Sequence, residues 1–199
     1  GAARKQFEKV VKLAGEKKLF VTIAFRARLG LASAYAKEQD WTHAIPEFES
    51  IEKKAGDELR FVKNALAKTL LDETRLTAAG ARGDAMITRA ESSNREDDFK
   101  AARAYFDGLE GRLGASSRVR AMTKVGQAIC MLREGKAREA MRNLADAKVR
   151  YFSERTQVAK ALYYMAKAAD KLGHSAQAVM YKKELRTLFP DSEWARKAD

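Results

Sequence analysis

The sequence predicts an all-α fold, an α-solenoid of stacked antiparallel helix pairs. Three observations predict it. Only two prolines occur in 199 residues, amid abundant Ala, Leu, Lys, Arg and Glu, so little forces a helix to stop. Apolar residues recur at helical spacing in stretches of roughly 15 to 20 residues, and runs of alternating β-branched residues are missing. Small residues also recur at a constant interval: Ala102, Ala140 and Ala178 stand 38 residues apart. An equal interval met twice is the mark of a repeat array.

The elements follow in order. "AARKQFEKVVKLAG" reads as a second helix without its first, with Ala3, Phe7 and Val10 standing like Ala44, Phe48 and Ile51. On that reading the array begins before Gly1. "ARLGLASAYAKEQDWTHAIPEFESI" is the first full pair. Asp40 or Thr42 caps its second helix, and Pro46 within the first two turns predicts a bend or a ragged start. Leu59, Val62, Leu66 and Leu70 predict a helix over 58–78. Gly80 and Gly83 then interrupt it. Residues 78–96 are expected to form an irregular insertion, either with a short helix over Asp84 to Ser92 or as part of one long first helix. Asp97 or Asp98 caps the helix carrying Ala102, and Ser116 or Ser117 the one after it. The helices "SSRVRAMTKVGQAICMLREG", "KAREAMRNLADAKVRYF" and "SERTQVAKALYYMAKAADKLG" lead to "HSAQAVMYKKEL". Pro190 ends that last helix, and Asp191 or Ser192 caps a further one starting "EWARKA". The whole of 1–199 reads as a single array.

Composition narrows the chemistry. The net charge of +12 sits in the first 20 residues and beyond residue 98, which favours acidic partners. No apolar run approaches the roughly 20 residues of a membrane span, and "GAARKQFEKV" lacks the apolar core of a signal peptide. The single cysteine, Cys130, excludes an intramolecular disulfide and a cysteine zinc cluster; its apolar setting reads as a small buried hydrophobe. His43 and His174 both fall near helix turns. His43 and Glu47 share a helix face but lack a third ligand, so no metal is expected. A phosphate loop after a strand and a convergent nucleophile–histidine pair are both missing. Neither catalysis nor a cofactor is expected. Tyr163 and Tyr164 lie among lysines, as in single-strand nucleic-acid binders, yet their spacing with Ala161, Met165 and Ala168 places at least one in the core.

The pattern is a small residue, an aromatic three residues on, an alanine nine further and a Phe or Leu four beyond. Ala32, Tyr35, Ala44 and Phe48 carry it, then Ala128, Met131, Ala140, Leu144 and Ala147, then Ala166, Ala169, Gly173, Ala178, Leu185 and Pro190. It resembles the tetratricopeptide repeat. Ala169 and Lys182 depart from the family's aromatics, with Tyr181 one place away, and the interval exceeds the family's usual ~34 residues.

The resemblance implies a right-handed superhelix with a concave groove, acting as a non-catalytic scaffold for a protein or peptide partner. Phe189, Pro190, Asp191 and Ser192, followed by Trp194 and Ala195, resemble a junction of bacterial cell-envelope members. That favours an exported bacterial protein, in the periplasm or envelope rather than the cytoplasm. Counted from Ala128 and Ala166, the groove positions are Met122, Val125, Ile129 and Arg133, then Lys160, Tyr163, Lys167 and Lys171. They would offer an apolar strip beside three lysines and a tyrosine, suited to a segment with apolar and acidic side chains or a C-terminal carboxylate. The family's carboxylate clamp also uses asparagines, which these positions lack. The alternative is a nucleic-acid-binding array using the basic C-terminal third. The oligomeric state stays open.

Overall fold

The computed structural model describes the backbone of residues 2–16 and 21–198. All regular structure among them is helical: α1 (Ala2–Glu16), α2 (Val21–Lys37), α3 (Trp41–Glu58), α4 (Ala65–Ser93), α5 (Glu96–Asp107), α6 (Leu109–Leu113), α7 (Ser117–Arg133), α8 (Ala137–Arg150), α9 (Arg155–Lys171), α10 (Ser175–Leu188) and α11 (Glu193–Lys197). The chain divides into two compact units, Gly1–Asp98 and Phe99–Asp199.

In the first unit each helix packs on the next, and α2 also touches α4. Phe48, Ile51, Ala55, Leu71 and Ala78 build the core, and Ala32 and Ala44 are fully buried within it. A methyl side chain at both places lets α2 and α3 approach closely; a longer one would overpack the contact. Arg28 of α2 then reaches Glu47 at 2.6 Å and the Ser50 hydroxyl at 2.9 Å on α3. Asp40 caps α3 as expected, accepting from the His43 N–H. Helix α3 runs unbroken from Trp41 through Pro46 to Glu58, so the expected ragged start is not seen. At the other end, α1 departs from its expected match with α3: Val10 is exposed where Ile51 is buried. The side chain of Ala3 lies outside the described residues.

Helix α4 differs most from expectation. It starts at Ala65, where the Asn64 side chain accepts from the Ala67 N–H at 3.0 Å, not at residue 58. Leu59 and Val62 lie in the turn before it. It then continues through Gly80 and Gly83 to Ser93, so residues 78–93 are regular helix rather than an irregular insertion. Each glycine costs a helix about 1 kcal/mol relative to alanine. Burial of a face made of Ala78, Ala79, Gly83, Ala85 and Ile87 offsets that cost. Asp98 also takes a different part from the cap assigned to it. It is buried, accepts from the Ser93 hydroxyl at 2.7 Å and pairs with Arg89. Those two partners, Ser93 first, hold its carboxyl below the usual carboxylate range.

The second unit shows the repeat directly. Helices α7 and α9 start at 117 and 155 and end at 133 and 171; α8 and α10 start at 137 and 175 and end at 150 and 188. All four offsets equal the interval of 38 set by the alanines. Ala102, Ala128, Ala140, Ala166 and Ala178 are all buried. The caps at Ser116 and Ser192 form, accepting from the N–H groups of Val119 and Ala195. Helix α10 ends two residues before Pro190.

The turn inside each pair is also repeated. The Lys136 N–H donates to the Met131 carbonyl and the His174 N–H to the Ala169 carbonyl, both at 2.9 Å. Such a six-to-one bond closes a helix through a left-handed residue, here Gly135 at φ 79° and Gly173 at φ 77°. In the first unit the Asp40 N–H donates likewise to Tyr35, but the left-handed residue is Gln39 at φ 58°. Gln39→Gly is therefore expected to stabilise the protein by about 1 kcal/mol. Gly173→Ala is expected to destabilise it by about 1–2 kcal/mol, because an added Cβ meets nothing within 4 Å and the cost is backbone alone. Urea titrations followed by circular dichroism check both signs.

Candidate functional site

His43, Glu47 and Cys130 each have a defined local setting. His43 Nδ1 lies 2.7 Å from the Asp40 carboxylate, and its ring stacks on Tyr35 with centroids 5.1 Å apart. The hydrogen bond with His43 holds the Asp40 carboxyl below its ordinary range. Glu47, four residues from His43, is held by Arg28. Among the described residues no three His, Cys, Asp or Glu side chains are grouped to hold a metal ion. Cys130 is buried, and burial pushes its thiol up to about 11. It therefore carries almost no thiolate at neutral pH.

The groove positions read from Ala128 and Ala166 divide sharply. Met122, Val125 and Ile129 are buried, so the apolar strip they were expected to form is not presented to a partner. Helix α7 packs on α8, α9 and α6, and α5 touches it at two further places. The Phe106 ring seats on Gly126, and the Arg133 guanidinium lies 5.0 Å over the Phe99 ring. Lys160, expected to attract a partner, is only 4% exposed. Here the cover is α11: Trp194 packs on Tyr163 and Tyr164 with centroids 5.5 and 5.9 Å away, and Lys160 Nζ lies 5.4 Å from its ring. Tyr164 is the tyrosine that joins the core; Tyr163 is half-buried. Arg133, Lys167 and Lys171 remain exposed. Lys171 Nζ donates to the Leu132 carbonyl at 3.2 Å, and Lys167 Nζ sits 5.2 Å from the Tyr163 ring.

The same register finds an open site in the first unit. Positions six before, three before and one after the small residue are Met122, Val125 and Ile129 around Ala128. Around Ala32 they are Arg26, Leu29 and Ser33. These three line a cleft of about 460 Å³, closed by Phe7 of α1 and by Leu70, Glu73, Thr74 and Thr77 of α4. Gly30 lets the Phe7 ring settle against α2; a Cβ there would stand 2.4 Å from a ring carbon. The hydroxyls of Ser33, Thr74 and Thr77 donate back to carbonyls one helical turn earlier, at 2.7–2.8 Å. Arg26 and Glu73 are exposed, and neither has an ion-pair partner among the described residues. The cleft thus offers three apolar side chains, Phe7, Leu29 and Leu70, within a largely polar lining that holds one uncommitted cation and one uncommitted anion.

No family model matches this sequence, and neither a curated protein nor a solved structure is found similar to it.

Proposed function

We propose that this chain is a tetratricopeptide-like repeat protein and a non-catalytic interaction scaffold, holding an extended segment of a protein partner in the α1–α2–α4 cleft. The observation that supports it most is positional. An open cleft lies where the repeat register puts a groove, and its volume falls within the ~300–1,000 Å³ typical of binding sites. Phe7, Leu29 and Leu70 suit an apolar anchor, and Arg26 and Glu73 suit flanking charges of either sign. The Phe99–Asp199 unit carries 21 Lys and Arg against 11 Asp and Glu, which steers acidic partners toward the chain over long range.

That basic unit is also what a nucleic-acid reading rests on. Such binding gains much from exposed rings on which bases stack. Of the two tyrosines that suggested it, Tyr164 is buried and Tyr163 lies against Trp194, which weakens that reading for α9.

The test is affinity capture from source-cell extract, followed by titration of the captured partner. Thr77→Trp fills the cleft from an exposed position, and Arg26→Glu reverses its cation. Each is expected to weaken binding about tenfold, while Lys182→Glu/Lys183→Glu on α10 leaves it unchanged. Capture lost on nuclease treatment, or a filled cleft that binds like the parent, would overturn the proposal.

A further inference from the structure

The geometry points to the α3–α4 turn as a docking tip for an anionic lipid surface. Phe61 and Leu66 are 76% and 68% exposed there, among the most exposed large apolar side chains of the protein. The turn itself is firmly bonded. The N–H groups of Phe61 and Val62 donate to the Glu58 carbonyl at 2.9 and 3.2 Å, and Asn64 caps α4. Leu59 and Val62 pack inward on the core of the first unit. The same bonds and anchors that fix those two residues inward leave Phe61 outward.

Charge selects the occupant. Arg60, Lys63 and Lys68 flank the two apolar residues along the chain, and all three are exposed. None has an ion-pair partner among the described residues. No acidic residue occurs from Leu59 to Leu71. Each such cation adds about fivefold to association with an acidic leaflet, and the apolar pair adds insertion at the acyl boundary. A protruding phenyl ring needs a matching pocket on a protein, but a fluid bilayer accommodates it without one. Among the described residues no helix is long and apolar enough to cross a membrane, and the proposed contact is peripheral.

The α8–α9 turn resembles this tip but differs where it matters. Phe152 is equally exposed, yet two of the cations beside it are ion-paired, Lys148 with Glu184 and Arg150 with Asp146. It therefore serves as the control. The inference does not depend on the peptide cleft.

The experiment is co-sedimentation of the full chain with two kinds of vesicle, phosphatidylcholine alone and phosphatidylcholine with about one fifth phosphatidylserine. Binding is expected only to the acidic vesicles and should fall as salt rises. Phe61→Ser/Leu66→Ser and Arg60→Glu/Lys63→Glu should each weaken it about tenfold or more, with unchanged circular dichroism melts because the replaced side chains are exposed. Phe152→Ser should bind like the parent. Equal sedimentation with neutral and acidic vesicles, no sedimentation with either, or loss in Phe152→Ser with retention in Phe61→Ser/Leu66→Ser would overturn the assignment.

Discussion

Trp194→Ala is expected to lower the stability of the Phe99–Asp199 unit by about 3–5 kcal/mol, the usual range for deleting a buried aromatic side chain. The face of α9 that carries Tyr163 and Tyr164 is covered by α11, five residues long. A helix that short has almost no stability of its own. It stays because Trp194 is buried against Tyr163 and Tyr164, with the ammonium groups of Lys160 and Lys197 at 5.4 and 4.3 Å from its ring. Deleting the indole would leave the tyrosines facing water and remove the ring beside Lys160. The indole N–H is buried and has no hydrogen-bond partner among the described residues. The ring therefore acts through its apolar area and its π-face, and Trp194→Phe should retain most of the stability, losing under about 1.5 kcal/mol. Thermal unfolding separates the two: each kcal/mol moves the melting point by about 4–8 °C in a unit of this size. Equal melting points for the parent and Trp194→Ala would mean that the α11 contact does not hold α9 in place.

The same tryptophan shows what a sequence reveals about such a fold and what it withholds. The packing alanines were legible because a zero-clearance helix contact admits few residue types, and Ala128, Ala140, Ala166 and Ala178 meet that demand at a fixed interval. Asp40, Ser116 and Ser192 were legible as caps for a similar reason. The length of α4 was not. Gly80 and Gly83 weaken a helix locally, but the small residues that weaken it also build the face it buries, and a propensity rule registers only the first effect. Gln39 hides the shared turn because its backbone takes the left-handed conformation without glycine.

The groove was half-legible. The register gives the direction in which Met122, Lys160 and Arg26 point, but exposure depends on what lies above them. For α7 the packing of α8, α9 and α6 decides that, and for α9 Trp194 does, and no spacing within those helices announces it. Over α2 the walls stand apart, and the same offsets counted from Ala32 lead to the cleft. Phe61 carried no repeat signature at all. Its exposure follows from which neighbours the turn anchors, a property of the folded turn and not of the pattern.

A sign reversal between two backgrounds gives the strictest test of how the second unit packs. Gly126 lies inside α7, where alanine would ordinarily gain about 1 kcal/mol. The structure predicts the opposite sign. A Cβ at 126 would fall 2.3 Å from Cδ1 and Cε1 of Phe106 and 2.5 Å from its Cγ. Those atoms include the root of the ring, so a small rotation cannot clear them. Phe106 is itself buried and has little space to retreat into. Gly126→Ala is therefore expected to destabilise the parent by about 1–3 kcal/mol through overpacking. Phe106→Ala alone should cost about 3–5 kcal/mol through the cavity it leaves. In that cavity the added methyl meets no ring, and only its helix propensity remains. Gly126→Ala should then stabilise the Phe106→Ala variant by about 1 kcal/mol. The difference between the two backgrounds is a coupling energy of about 2–4 kcal/mol, large even for residues in direct contact. Urea denaturation of the four proteins measures it. Gly126→Ala stabilising both backgrounds alike would mean that the Phe106 ring does not rest on α7.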